Sequence, residues 1–558
     1  MSPALFPLVE RWLVRAAAVL LPIAYAWSTF DRFVVPKLVV ARFLVLALAF
    51  LFCIRVVSTR RLAWRRTPLD APLLAFLGSA ALSSAFSVNL NVAVFGTYGR
   101  YDGLLTLCTY AAMFWLVTQT IAGENDARSL LRALLVGGYM VAAIAILQFL
   151  RDSVTAHTLV RAYGTMGNSD ILGAYLVLLV PVAYGELIAA TTTTARWLAI
   201  NALAVMLLAL LVSVSRSAWL GLLVAALVLL TARQWPAFKH RASLIGAAAV
   251  ALAVAVTALV ALEHGFSTSG LVSSTETITQ RVHVWGDSLP LIVSRPLTGY
   301  GPDSFGLVYP GFQTGNWGAY QQFDKAHNEL VQVAATQGLL GLGAYLWLLA
   351  SFGVAFWRGR DRPIAWSLFA GWLAYVTALQ LNFSALAAAF PFWMFSSAAI
   401  KSFVGPREPS TVPVGPILRA AFAAASTVLL ILAVVAVGAT YVADTRLQQA
   451  VLADLAGGPD AARLAADARR LAPQESVYAV EAGNIAFERN DWSGARNSYL
   501  AASRLGTFNP QMYRNLAFAD RALGLRADAL WAARQAVYLD RFDPVNQAVL
   551  AQMESISP

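Results

Sequence analysis

The chain is a succession of apolar runs, each near the roughly 20 residues a helix needs to cross a bilayer. They fall near 12–30, 36–57, 69–87, 103–121, 129–150, 171–190, 196–214, 217–232, 242–262, 330–356, 363–382, 385–403 and 414–442. Only Ser215-Arg216-Ser217 separates the seventh from the eighth, and Ser79, Ser83 and Ser84 dilute the third. After 442 the texture changes to Ala, Arg, Asp and Leu at helical spacing. The pattern predicts an all-α protein, with a polytopic bundle of about 13 spans over 1–442 and a helical domain over 443–558.

The polar joints set an orientation. Arg55 to Arg66 holds five arginines, and Thr231 to Arg241 holds Arg233, Lys239 and Arg241. Arg358, Arg360 and Arg362 share a third loop, and Lys401 and Arg407 a fourth. With 13 spans and a cytoplasmic N-terminus, all four loops fall on the cytoplasmic side. The first run lacks a small-x-small cleavage site and reads as a retained span. The longest polar stretch, 263–329, and everything after about 443 then lie outside the cytoplasm.

Composition agrees. Of 558 residues, 58% are hydrophobic and 13% charged, and the mean hydropathy is +0.62; a soluble domain carries roughly 25% charged residues. The net charge of +11 divides into +12 before residue 443 and −1 after it. No soluble basic patch supports nucleic-acid binding. Cys53 and Cys108 sit inside apolar runs, so no disulfide framework is implied. No Walker-type loop exists to bind ATP, and the His, Cys and carboxylate spacings give poor support for a metal, so no cofactor is expected.

The outer stretch is where basic residues depart from the charge rule. Ile278, Val282, Trp285, Leu289 and Ile292 recur at helical spacing, which predicts an amphipathic helix on the membrane surface with Arg281 and His283 on its polar part. Pro296-Leu-Thr-Gly-Tyr300-Gly-Pro breaks that helix, and its glycines permit close backbone approach. Asp324-Lys325-Ala-His327-Asn328-Glu329 then leads into the tenth span. Across the outer side, Arg100, Arg151, Arg161, Arg216, Arg281, Arg295 and Lys325 each lie at or near a span end. Ionisable groups so close to hydrocarbon need a wet cavity or a partner. As a set they predict an anion site, for which the planar guanidinium fork suits a phosphate. Of five histidines, His240 is cytoplasmic, and His157, His264 and His283 read as structural. His327, beside Lys325, Asn328 and Glu329 at the membrane face, is the candidate for catalysis or substrate contact.

In the tail, Ala495, Tyr499, Ala502 and Pro510 recur 34 residues later as Ala529, Ala533, Ala536 and Pro544, and Gly483 maps onto Ala517. Small residues suit tight helix pairs, and Pro is read as closing each unit. This resembles tetratricopeptide repeats, which present a concave surface to a peptide or protein. The tail is expected to recruit a partner or acceptor and to stand apart from the chemistry.

Several blocks together resemble the O-antigen ligase and polymerase superfamily. They are Gly96-Thr-Tyr-Gly-Arg-Tyr-Asp-Gly103, Arg161-Ala-Tyr-Gly-Thr-Met-Gly-Asn168, Ser215-Arg-Ser-Ala-Trp-Leu-Gly221, Arg281 with Trp285, Pro296-Leu-Thr-Gly-Tyr-Gly301, and His327-Asn-Glu with Gly338-Leu-Leu-Gly341. Asp170 stands where the family's G-N-x-N run would have Asn. The resemblance covers about 80–442. It implies a multi-pass glycosyltransferase of the bacterial cytoplasmic membrane whose donor is an undecaprenyl-diphosphate-linked glycan. The acceptor would be a lipid, glycan or protein hydroxyl. His327 would act as base, and Arg161, Arg216, Arg281 and Arg100 would hold the diphosphate. Trp285, Tyr300, Lys325, Asn328 and Glu329 would contact substrate. Ligation, polymerisation and protein O-glycosylation all fit this scheme. From another class, a secondary anion transporter is the alternative, although no internal repeat of spans supports it.

Overall fold

A computed structural model describes residues 5–157, 159–232, 274–317, 321–406 and 408–555. The expected span at 242–262 lies outside the described residues, as do His240, His264 and the loop cations Arg233, Lys239, Arg241 and Arg407. The protein is all-α, 76% helical, and among the described residues has one short antiparallel strand pair.

In chain order the first elements are α1 (Leu5–Ile23), α2 (Val34–Thr59), β1 (Arg61–Trp64), α3 (Asp70–Ala85), α4 (Leu90–Phe95), α5 (Leu104–Thr120) and α6 (Glu124–Ala156). Next come α7 (Ser169–Ile188), α8 (Thr193–Ser213), α9 (Arg216–Thr231), α10 (Ser274–Ser294) and the one-turn α11 (Phe305–Val308). The chain continues through α12 (Glu329–Gly359), α13 (Ala365–Ala378), α14 (Leu386–Val404), β2 (Ser410–Pro413), α15 (Pro416–Val434) and α16 (Ala436–Leu455). The tail adds α17 (Ala461–Leu471), α18 (Ser476–Glu488), α19 (Trp492–Leu505), α20 (Pro510–Ala522), α21 (Arg526–Leu539) and α22 (Pro544–Glu554).

Among the described residues, seven helices are long and apolar enough to cross a membrane: α2, α6, α7, α8, α12, α14 and the nearly continuous α15–α16. Helices α5, α9 and α13 are shorter but apolar. The first span differs from expectation. Its helix ends at Ile23, one residue past Pro22, rather than near 30, and Asp31 in the following loop accepts from Phe33 N and Val34 N at the start of α2. At the other end, α16 runs through position 443 unbroken, so the change of texture falls inside a helix.

The best-buried of these helices is α7. Small residues bring its neighbours close: Gly371 of α13 lies against Leu178 of α7, and Gly221 of α9 against Ala374 of α13. Close backbone approach of this kind is how apolar helices gain dispersion energy in lipid.

The loops sort into two sets that contact only within themselves in the links that follow. On one side Arg55 pairs with Glu10, Arg11 and Arg15 reach Asp126, Arg65 bonds Gln119, and Arg362 lies against Gly405. β1 pairs with β2 there, Arg61 opposite Pro413, which joins two of the arginine- and lysine-bearing loops. On the other side Lys37 Nζ donates to Thr165 O, Val88 N to Tyr300 O, and Asn328 Nδ2 to Gln380 O. All the candidate site residues belong to this second side.

There α10 differs from a simple surface helix. Val284, Asp287, Ser288 and Leu291 are buried against the protein, while Ile278, Val282, Leu289 and Val293 are exposed. Asp287 accepts from Tyr309 Oη, Thr314 N and Thr314 Oγ1, which is why a carboxylate can face inward. The apolar residues left outside form the face a bilayer would cover.

Pro296 to Gly301 is wedged into a break in α12. Gly338 has φ of 67°, outside helical space, and faces Leu297. Leu339 N donates to Pro296 O (2.7 Å) and Gly301 N to Thr336 O (2.8 Å), so the loop satisfies backbone groups that the break frees. Gly299, at φ 65°, lies against Thr336.

The tail helices pair as α16/α17, α18/α19 and α20/α21. Ser476, Pro510 and Pro544 open α18, α20 and α22 at intervals of 34 residues. Pro therefore opens units instead of closing them, as its fixed φ and missing N–H suit the first helical position. The repeated Ala495, Tyr499, Ala502, Ala529, Ala533 and Ala536 are all buried.

Replacing Gly338 with Ala forces a Cβ onto Leu297 at positive φ. The strain alone is about 1–3 kcal/mol, so G338A should lower the unfolding midpoint in detergent, whereas Gly343→Ala on the same helix, with open space, should not.

Candidate functional site

The site is built from Gly96–Gly103 before α5, residues 302–317 and 321–328 before α12, Arg281 on α10, and the N-terminal ends of α7 and α9. Asn328 caps α12, accepting from Leu330 N (3.0 Å) and Val331 N (3.1 Å). Its cap fixes His327 just ahead of the helix, at φ 53°. Tyr101 (56°) and Asp303 (58°) share that left-handed conformation. Three such side chains in one place are costly unless the surroundings hold them.

Lys325 does the holding. Its ammonium is 3% exposed and sits 2.7 Å from both Asp102 Oδ2 and Asp303 Oδ1. Asp303 Oδ2 also accepts from Thr97 N and Thr97 Oγ1. Burial would strip the proton from Lys325, but Asp102 and Asp303 outweigh it and raise its pKa. Asp102 is pushed up to about 6, mainly by burial. Lys325 is thus committed to an internal ion group.

Arg100 Nε meets Asp324 at 2.5 Å, and its guanidinium stacks 4.6 Å from the Phe383 ring centre. Asp102 is already engaged by Lys325, which leaves Asp324 as the available carboxylate. Burial opposes ionisation of Asp324, yet Arg100 holds its carboxyl below the usual range.

The His327 ring stands edge-on to Phe383 (5.2 Å) and Phe323 (6.4 Å). Its Nδ1 is 3.1 Å from Lys325 O. A carbonyl only accepts, so Nδ1 carries the hydrogen and Nε2 keeps the lone pair. Burial lowers the His327 pKa below the ordinary histidine value; Arg281 adds to this, as does Arg100, while the Lys325 carbonyl and Asp324 oppose it. The positive end of α12 acts in the same direction. The arrangement is a neutral imidazole with a free Nε2, able to accept a proton near neutral pH.

Arg161, Arg216 and Arg281 come together around Asp170. Arg161 pairs with Asp170 (2.9 Å) and donates to Ser213 O (3.0 Å). Arg216 is the first residue of α9, and Asn168 caps α7, accepting from Asp170 N in its first turn. Gly173 of α7 lies against Ser215, which brings these two helix starts side by side. Half-buried Arg281 has its pKa lowered first by burial and then by Arg216 and Arg161, against the pull of Asp170. Arginine does not give up its proton, so the outcome is a concentration of positive potential. Adjacent helix N-termini reinforce it.

The remaining expected residues have structural partners. Trp285 Nε1 donates to Ala326 O (2.9 Å), tying α10 to the His327 segment. Glu329 Oε2 accepts from Ser384 N (2.9 Å). Tyr300 Oη bonds Ser294 (2.8 Å), its ring carries Arg295, and its backbone bonds Val88 N and Ala335 O. Sequence reasoning passed over Asp303, Asp324 and Phe383 as site residues. The first two had a signal, lying within the Gly-Tyr-Gly-Pro and Lys-Ala-His blocks; Phe383 had none.

A cavity of about 90 Å³ borders this group, lined by Asp102, Asp303, Lys325, Glu329 and Phe383 among others. His327 is not in its lining. With three carboxyl groups to one ammonium, it is unsuited to an anion; the arginine cluster suits one.

Residues 201–346 match the family model described as O-antigen ligase. The matched stretch includes Arg216, Arg281, Trp285, Tyr300, Lys325, His327, Asn328 and Glu329. No curated protein matches the chain. The match and the apolar helices support a multi-pass membrane enzyme of the O-antigen ligase superfamily, of glycosyltransferase type.

Removing one member of a buried ion group costs about 3–5 kcal/mol. Lys325→Met should therefore destabilise the protein strongly, and adding Asp102→Asn and Asp303→Asn should recover much of the loss in a detergent unfolding titration. A K325M protein of wild-type stability would contradict the assignment.

Proposed function

We propose that the protein transfers a glycan from undecaprenyl diphosphate to an acceptor hydroxyl at the outer face of the cytoplasmic membrane. The observation that carries this reading is the convergence of Arg161, Arg216 and Arg281 at one end of the bundle, with Arg281 electrostatically coupled to His327. In this reading the N-terminus is cytoplasmic, about 13 spans cross the bilayer, and 263–329 and the tetratricopeptide-like tail are extracytoplasmic. The segregation of loops into two sets supports it.

The arginines hold the diphosphate, with the lipid chain along the bundle and the sugar toward His327. Nε2 of His327 accepts the acceptor's hydroxyl proton as its oxygen bonds to the anomeric carbon. The bond from that carbon to the diphosphate oxygen breaks on the opposite side, which inverts the configuration. Undecaprenyl diphosphate leaves with the electron pair, and the arginines stabilise its charge. Arg100 orders the loop through Asp324, and Lys325, Asn328 and Glu329 fix the segment that carries His327.

The test is incubation with a lipid-diphosphate glycan and candidate acceptors, followed by product mass. His327→Ala should cost about 10²–10⁴-fold in turnover, the usual contribution of a general base, while donor binding persists. Arg161, Arg216 and Arg281 to Lys should each weaken donor binding, and Ala more so, because lysine lacks the bidentate fork. Wild-type donor binding in all three alanine variants, or full activity of folded H327A, would overturn the reading.

The lowered His327 pKa also fixes a pH dependence. The base works when neutral, so activity should hold as pH falls through the ordinary histidine value near 6.5 and drop only below it. Neutralising Arg281 removes one cause of the lowering, so Arg281→Gln should move that acid limb upward. An acid limb above 6.5 in the wild type would contradict the site's electrostatics.

A further inference from the structure

We infer that the C-terminal helices are a positioning part of the active centre, acting through Asp444 and Tyr98 on the Gly96–Gly103 segment and through Tyr538 on the loop before His327. This rests on the proposed role of the His327 and arginine group. It departs from the expectation that the tail only recruits a partner.

Asp444 on α16 is fully buried. Its Oδ1 accepts from Tyr98 Oη (2.5 Å) and Tyr478 Oη (3.1 Å), and its Oδ2 from Asp31 N (3.0 Å). One carboxylate thus joins the loop after α1, the Gly96–Gly103 segment and tail helix α18. A buried carboxylate with three donors is expensive to disconnect. Tyr98 lies between Thr97, which bonds Asp303, and Arg100, which bonds Asp324; Asp102 follows and bonds Lys325. Displacing Tyr98 therefore disturbs every contact that shapes the His327 segment from that side.

The tail also holds α4, the short helix that leads into this segment. Asn91 Nδ2 donates to Gln474 O (2.9 Å) and Leu505 O (3.0 Å), and Asn89 Nδ2 to Arg504 O (3.1 Å). Gly506 fits against Val92 and Asn89. On the second segment, Tyr538 Oη donates to Leu307 O (3.3 Å), with Gly311 against the Tyr538 ring. Phe508 and Leu539 close a crevice with Gly306, Tyr309 and Phe323. Phe323 stands against the His327 ring, and Asp324 is the partner of Arg100. Both strands of the site are backed by tail residues, whereas Arg161, Arg216 and Arg281 sit on other elements. Loosening the tail should thus impair turnover and spare donor capture.

The test uses the full-length protein with Tyr98→Phe, Asp444→Asn and Tyr538→Ala singly, and Arg463→Ala on the exposed tail surface as control. Hydrogen–deuterium exchange over 97–103 and 321–328 is read together with turnover and donor KM. Each of the first three variants should speed exchange in its adjoining site segment and lower turnover by up to about tenfold, the scale of one lost hydrogen bond. Donor KM should stay within about twofold, the scatter expected of distant, independent sites. The control should match wild type. Unchanged site exchange, or a fall confined to donor KM, would overturn the inference. Because exchange needs no transfer reaction, faster exchange in a protein whose wild type transfers no glycan would overturn the proposed function and leave the coupling standing.

Discussion

The ammonium of Lys325, buried between Asp102 and Asp303, is the contact on which the arrangement of the site depends. It draws together two segments about two hundred residues apart in the chain. Its own carbonyl then sets the tautomer of His327 two residues on. A cation in this position would be intolerable beside hydrocarbon if it faced lipid; two carboxylates make it the cross-link that lets Tyr101, Asp303 and His327 keep left-handed backbones. The geometry that makes Nε2 a base is inherited from an ion group that has no need to touch substrate.

Around this point the charges separate. Asp102, Asp303 and Glu329 line the cavity on the Lys325 side, while Arg161, Arg216 and Arg281 gather at the starts of α7 and α9. Burial and Arg281 keep the His327 ring neutral, against the opposing pull of the Lys325 carbonyl and Asp324. A diphosphate entering the positive side relieves repulsion among the arginines, which is the physical reason an anion belongs there. In the proposed reading, the departing lipid diphosphate never leaves that field during the displacement.

Much of this was legible in the residues. The outer arginines stood out because they broke the charge rule, and the polar run from Asp324 to Glu329 leading into an apolar span placed His327 at a helix start. The recurrence at 34 residues foretold helix pairs, and the glycines at 299 and 301 foretold a close approach, although not the break at Gly338 that receives it. Partner choice was not legible. Arg100 takes Asp324 rather than Asp102 because Lys325 has a prior hold on Asp102, a competition decided by folding across more than two hundred residues. The end of α1 was missed because the residues that follow Pro22 and Ile23 are themselves largely apolar, so the apolar count ran on past the helix. Tail docking was invisible for a similar reason: Asp444, Tyr98 and Tyr478 are each ordinary until folding places them together.

The central claim is that a lipid diphosphate is held by the three clustered arginines with its sugar presented to His327. The most direct measurement is a structure of the protein in lipid nanodiscs with undecaprenyl diphosphate bound. The account predicts both phosphates within ion-pair distance of Arg161, Arg216 and Arg281, and the terminal phosphate on the side of His327. Phosphate density elsewhere, in the acidic cavity beside Lys325 and Glu329 or on the opposite end of the bundle, would contradict it.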